Sequence, residues 1–179
     1  MAASEHFRFC PRCGGPLAPS LLREGEPERL VCAACRFVLY LDPKVAAGAV
    51  FLHEGGIVLL RRSIEPQLGR WVFPGGYVDR GEAVPAAAVR ETFEECGLRV
   101  SPIGVLDVYS LPPWEVVLVV YSADVVGGEL SARAECSEAR VFPPEQIPWD
   151  ELAFESTRAA LRDYVRRYFP RVRVPRAGP

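Results

Sequence analysis

Four of the six cysteines stand as Cys10-x2-Cys13 and Cys32-x2-Cys35, with 18 residues between the pairs. A C-x2-C knuckle turns tightly enough for both sulfurs to face one ion, and zinc takes four thiolates at the corners of a tetrahedron. The flanking residues Pro11-Arg12, Gly14-Gly15 and Ala33-Ala34 suit short turns. Two disulfides are the other chemistry open to four cysteines. They belong to small exported domains, whereas this chain opens MAASEHFRFC, without a basic patch followed by an apolar stretch, and also carries Cys96 and Cys136. A structural Zn²⁺ bound by Cys10, Cys13, Cys32 and Cys35 is therefore expected, since four protein ligands leave no position open for catalysis. Residues 7–41 read as a zinc ribbon too short to fold without its metal. Its insert sets Arg23 and Arg29 against Glu24, Glu26 and Glu28, which is not a basic surface. A scaffold or dimerisation role is expected of it, and nucleic acid is not expected as a partner.

The rest of the chain has the makings of one globular domain. Of 179 residues, 49% are hydrophobic and 25% charged, close to globular averages. No apolar run approaches the ~18 residues of a membrane span, so a cytoplasmic protein without a membrane partner is expected. Counting removes several chemistries. Lys44, the only lysine, follows Asp42-Pro43 instead of a glycine loop, so there is no G-x-x-x-x-G-K phosphate loop. The glycines form no G-x-G-x-x-G, the only histidines are His6 and His53, and no G-x-S-x-G is present. Chemistry in this chain must rest on carboxylates, cysteines or metals.

Strand material begins at residue 45. Segments 45–52 and 57–61 flank His53-Glu54-Gly55-Gly56 and predict a hairpin. A short strand at 71–73 ends at a Pro74-Gly75-Gly76 turn, and further strands are expected at 104–109, 115–125 and 138–142. A helix fits 85–96, with proline in its first turn and Gly97 to stop it. A final helix at 154–169 lines up Leu161, Tyr164, Val165 and Tyr168 on one face. Hairpins among separated helices make this an α/β chain whose sheet is not purely parallel. Arg166, Arg167, Arg171, Arg173 and Arg176 make a basic carboxyl end, expected to be solvated and, over 171–179, flexible.

The helix at 85–96 carries the most specific signal. At 100° per residue, Glu94 and Glu95 lie about 60° and 40° either side of Glu91. Three carboxylates thus share one narrow face near the helix's negative end, where like charges raise one another's pKa or recruit a cation. Hard oxygen ligands suit Mg²⁺ or Mn²⁺; a solvated acidic patch is the plainer alternative. The stripe Ala86, Val89, Phe93 and Cys96 is expected to pack on a sheet. Glycines ahead of the helix let backbone approach a ligand closely, and Arg90 is placed to orient a carboxylate.

Residues 76–98 match the Nudix box, G-x5-E-x7-R-E-U-x-E-E-x-G-U with U a bulky apolar residue, at Gly76, Glu82, Arg90, Glu91, Glu94, Glu95, Gly97 and Leu98. Thr92 is the one departure, a β-branched residue at a U position that should still pack. The resemblance implies an α/β/α sandwich with a mixed sheet over 42–170, preceded by the ribbon, and hydrolysis of the diphosphate of a nucleoside diphosphate derivative. The chain is also similar to the zinc-ribbon Nudix subgroup through Tyr40-Leu41-Asp42-Pro43-Lys44, and its segment 147–154 resembles FAD and ADP-ribose pyrophosphatases. Zinc-ribbon NADH pyrophosphatases carry an S-Q-P-W-P-F-P-x-S element after the box, where this chain has only Leu111-Pro112-Pro113-Trp114.

The resemblance implies a role for each matching residue. Glu91, Glu94 and Glu95 would bind Mg²⁺ or Mn²⁺ with the Gly75 carbonyl, Glu82 would be an outer or additional ligand, and Arg90 would orient the glutamates. Gly75 and Gly76 would lie against the nucleotide substrate, with Trp114 as the stacking partner of its base. Family members place the general base either in the box or on a later loop. Glu135 and Glu138 occupy that later region, as metal ligand and base respectively, the alternative for both being a solvated loop. FAD or ADP-ribose hydrolysis to AMP by a homodimer is the expected function. Cleavage of NADH or NAD-capped RNA is the alternative within enzymes, and a nucleotide-binding sensor without turnover the alternative outside them.

Overall fold

The computed structural model describes residues 7–112 and 115–175, in two compact units that divide between Pro43 and Lys44. His6, Trp114 and Arg176 lie outside the described residues.

In the first unit, β1 (Leu17–Ser20), β2 (Arg29–Cys32) and β3 (Val38–Leu39) form an antiparallel sheet in that order. Leu17 pairs with Cys32 and Leu30 with Leu39. Buried hydrophobic positions are few, Cys10, Leu30, Val31 and Cys32 among them. So small a core does not hold a fold by itself.

The second unit starts with β4 (Lys44–His53) and β5 (Gly56–Arg62). They join through Glu54 and Gly55, both at positive φ, as a two-residue hairpin turn demands. The chain then runs through β6 (Trp71–Val72), β7 (Gly75–Tyr77), α1 (Val84–Cys96), β8 (Leu98–Tyr109), β9 (Val116–Gly128), β10 (Cys136–Phe142) and α2 (Glu155–Tyr168). The main sheet has the order β10-β5-β4-β9-β8, with β6 beside β5 and β7 beside β4. Only β4 and β9 pair in parallel among these neighbours, so the sheet is mixed.

Strand periodicity divides the core into two layers. Val50, Ile57, Leu59 and Val120 meet Ala160, Leu161, Tyr164 and Val165 of α2. Their neighbours Ala49, Phe51, Val58 and Leu60 face the other way, against Cys96 at the end of α1, while Ala47 and Tyr121 meet Ala87 and Ala88. The result is the expected α/β/α sandwich. Val172 and Val174 of the basic carboxyl end also lie against the α2-side core.

Two local expectations are corrected. Pro74-Gly75-Gly76 does not end in a free turn. Gly75–Tyr77 forms β7, antiparallel to Gly48, Ala47 and Ala46, and a methyl at position 75 would come within 2.7 Å of the Ala47 carbonyl and Gly48 Cα. On α1 the buried positions are Ala87, Ala88, Thr92 and Cys96, whereas Ala86 is exposed and Phe93 is 38% exposed. Thr92 buries because its hydroxyl donates to the Ala88 carbonyl at 2.7 Å.

Candidate active site and metal centre

The strand–helix junction fixes the carboxylates. Pro85 sits in the first turn of α1, and Gly97 ends it at φ 74, donating its N–H to the Phe93 carbonyl. Between them, Arg90 acts as a hub. Its Nε and Nη2 donate to the two oxygens of Glu82, each at 2.9 Å, a bidentate pair. Nη1 donates to Glu91 at 2.8 Å and Glu94 at 3.1 Å, and Nη2 also reaches the Tyr77 carbonyl at 3.1 Å. Glu82 accepts a further bond from Asp79 N–H at 3.0 Å. The Arg90 guanidinium, helped by that N–H, holds Glu82 down at about 2, and the same contacts raise Arg90.

Glu91 and Glu95 point inward. Burial is the main cause that raises Glu91, against the pull of Arg90. Burial also pushes Glu95 up to about 7, opposed by the Gly75 N–H and reinforced by Glu91 and Glu135. That N–H donates to Glu95 at 2.9 Å, tying β7 to α1. A methyl at position 76 would lie 2.5 Å from Glu91 Cδ, so Gly76 is the residue that lets this carboxylate rest on the backbone. The Glu94 side chain remains 51% exposed.

The structure thus gathers Gly75, Gly76, Glu82, Arg90, Glu91, Glu94 and Glu95, and it separates the two later glutamates. Glu135 immediately precedes β10, its carbonyl accepting from Ser63 N–H at 2.8 Å, and its charge is felt at Glu95. Glu138 sits within β10, opposite Arg61 and not on a loop. Its neighbour Ala139 packs in the α1-side core, so Glu138 points to the other face of the sheet. There it pairs with Arg140 and, at 3.6 Å, with Arg61. Arg62 was not singled out by the sequence. Its guanidinium acts against the upward shift of Glu95, a proximity created by strand register and not by any spacing in the chain. Burial pushes Cys136 up to about 12 and Cys96 to about 11, so neither is a ready nucleophile.

In the ribbon, the ligand atoms of Cys10, Cys13, Cys32 and Cys35 all lie within 4.8 Å of one another. Cys10 and Cys35 sulfurs are 3.8 Å apart, and Cys13 and Cys32 sulfurs 3.5 Å. A tetrahedron with Zn–S near 2.3 Å has edges of about 3.8 Å, whereas a disulfide needs about 2.05 Å. The Cys35 N–H donates to Cys32 at 3.4 Å and is the main cause that lowers this thiol to about 6. The four residues fit zinc.

No helix among the described residues is long and apolar enough to cross a membrane. The NUDIX domain family matches residues 42–165. The chain belongs to the NUDIX family. Its residues 8–41 match the Nudix N-terminal zinc-ribbon family. An ADP-ribose pyrophosphatase of Methanocaldococcus jannaschii is 37% identical over 135 residues, covering 73% of this chain and 78% of that protein. The NAD-capped RNA hydrolase NudC of Chromobacterium violaceum is 29% identical over 79% of this chain, which spans about half (52%) of that longer protein. A crystal structure of a NUDIX hydrolase from Nitrosomonas europaea superposes with a TM-score of 0.86 at 29% identity, covering 95% of this chain and 97% of that one. As a Nudix hydrolase, the chain is a pyrophosphohydrolase that uses divalent metal and acts on nucleotide-derived substrates.

Proposed function

We propose that this Nudix hydrolase cleaves the diphosphate of ADP-ribose or FAD, releasing AMP, with Mg²⁺ or Mn²⁺ held by Glu91, Glu94 and Glu95. The observation that carries this reading is a cluster of carboxylates: Glu82, Glu91 and Glu94 share the Arg90 guanidinium, and Glu95 stands beside Glu91 on the Gly75 N–H, with Arg62 acting on it from β5. Both Glu82 oxygens are engaged by Arg90, which leaves the other three carboxylates as the hard donor set for divalent ions. The 37% identical relative named as an ADP-ribose pyrophosphatase supports the substrate class.

Bound divalent ions neutralise the diphosphate and lower the pKa of a water nucleophile. The protein's own share is positional. Arg90 orients Glu91 and Glu94, and the Gly75 N–H holds Glu95 against the strand. We assign the Gly75 carbonyl to the metal beside Glu95, and Gly75, Gly76 and Trp114 to the nucleotide, with Trp114 stacking on its base. Glu135 is the residue we assign to metal or water beside Glu95. Glu138, paired with two arginines, is the weaker candidate for the base. One water adds across the P–O–P bridge, giving AMP and ribose 5-phosphate from ADP-ribose, or AMP and FMN from FAD. The reading includes a cytoplasmic homodimer with a ribbon at 7–41 and a hydrolase domain at 42–170.

A second reading, hydrolysis of NADH or NAD-capped RNA, is favoured by relatives named NudC that align with 79% and 87% of this chain. Product analysis of FAD, ADP-ribose, NADH and NAD-capped RNA, with Mg²⁺ and then Mn²⁺, separates the two. AMP release with the highest kcat/KM on FAD or ADP-ribose supports the first. Turnover of NADH or capped RNA alone replaces it with the second. Nucleotide binding without turnover of any would mean a sensor.

A further inference from the structure

We infer that Arg133 is a positioning residue that locks the segment carrying Glu135 onto the carboxyl end of α1. The inference rests on the proposed reading of this site as a metal-dependent hydrolase.

The last carbonyls of a helix have no partner within it, and two of those of α1 are met by the chain before β10. Ser131 N–H donates to the Cys96 carbonyl at 3.0 Å, and Arg133 N–H to the Glu95 carbonyl at 2.9 Å. The Arg133 side chain turns back over the helix end. Its Nε donates to Ser131 Oγ at 2.9 Å, and its Cζ stands 5.5 Å from the Phe93 ring centroid. It also lies so close over Gly97 that a methyl there would come within 2.7 Å of the guanidinium. A cation in this place meets the negative end of the helix dipole, beside a run of carboxylates. Gly97 thus serves two ends, stopping the helix and admitting the arginine.

From this clamp the chain reaches Glu135 in two residues. Ala134 takes φ 46, and Cys136 N–H closes the turn onto the Arg133 carbonyl at 3.0 Å. Beyond it, the Glu135 carbonyl accepts from Ser63 N–H at the end of β5. Glu135 is therefore fixed between two anchors, one of which is bonded to the main-chain carbonyl of Glu95. The guanidinium, through Ser131 Oγ, the Phe93 ring and Gly97, holds these two main-chain donors on the helix end, so removing it loosens the α1 anchor and lets Glu135 drift relative to Glu95 while both carboxylates remain present.

The test compares wild type, Arg133→Ala, Arg133→Lys and Arg99→Ala. Arg99 also stands over Phe93, at 5.2 Å, without a backbone bond to the end of α1 among the described contacts. The readouts are the Mg²⁺ concentration for half-maximal hydrolysis of the best nucleotide substrate, and Mn²⁺ affinity by calorimetry. Arg133→Ala is expected to weaken metal binding about tenfold by both measures, the usual scale for losing a residue that holds a ligand in place. Arg133→Lys should recover part of the loss, and Arg99→Ala should match wild type. Wild-type metal binding in Arg133→Ala overturns the inference, as does lower kcat with unchanged metal dependence. If Arg133→Ala does not fold, Ser131→Ala, which removes the Nε acceptor, is read the same way. Should wild type hydrolyse none of the nucleotides, the functional reading fails and the Mn²⁺ measurement alone decides the role of Arg133.

Discussion

The carboxylate of Glu91 rests on the backbone of Gly76, with no room for a side chain between helix and strand: a methyl there would sit 2.5 Å from Glu91 Cδ and 2.6 Å from both its oxygens. The glycine that begins the box therefore seats the glutamate that lies fifteen residues later in the chain. Gly76→Ala must push Glu91 aside or part β7 from α1. Overpacking of this kind costs about 1–3 kcal/mol. The expected outcome is a lower denaturation midpoint together with a loss of kcat, read on the same preparation. A variant with wild-type stability and turnover would show that Glu91 does not need this seat.

Glu95 sets a pH dependence that ordinary surface carboxylates do not. Its pKa rises from 4.5 to about 7 on folding in the absence of metal, chiefly through burial. Between those values the unfolded chain has lost a proton that the folded chain keeps, so stability falls as pH rises through this window. The full shift corresponds to about 3 kcal/mol. Glu82 does not oppose it there, since its depressed pKa of about 2 gives a contribution already complete above 4.5 and lost only at more acid pH. Thermal unfolding from pH 4.5 to 7.5, without added divalent metal, should show Tm falling for wild type and a flatter profile for Glu95→Gln. Equal slopes would mean that Glu95 titrates normally.

The ribbon makes a separate prediction. Elemental analysis should find one zinc per chain, and Cys32→Ser should lower that content. Intact mass under denaturing conditions should show all thiols reduced. Loss of four hydrogens without zinc would establish two disulfides and contradict the sulfur spacing of 3.5 and 3.8 Å.

The box and the two cysteine knuckles were legible in the chain because their chemistry depends on short, fixed spacings. What escaped depends on contacts between distant segments. Gly75-Gly76 reads as a turn by composition, yet forms a strand because Gly48 allows the backbones to meet closely. Phe93 reads as a core residue by hydropathy, yet stays partly exposed beneath the Arg99 and Arg133 guanidiniums, while polar Thr92 takes the buried place. Glu135 and Glu138 look equivalent in sequence, but a bulge between Cys136 and Glu138 and the strand alternation send Glu138 to Arg61 and Arg140. Arg62 and Arg133 carried no signal at all, because each acts on α1 from a segment far along the chain.

The most direct test of the carboxylate account is AMP release from ADP-ribose by wild type and Glu94→Gln, with Mg²⁺ present and absent. The Glu94 side chain is half exposed and its ion pair with Arg90 is 3.1 Å long, so the substitution should leave Tm nearly unchanged. Wild type should release AMP only with the metal, and Glu94→Gln should lose at least about a hundredfold in kcat. Unchanged turnover in Glu94→Gln, or full wild-type activity without divalent metal, would contradict the assignment of these carboxylates to metal-dependent hydrolysis.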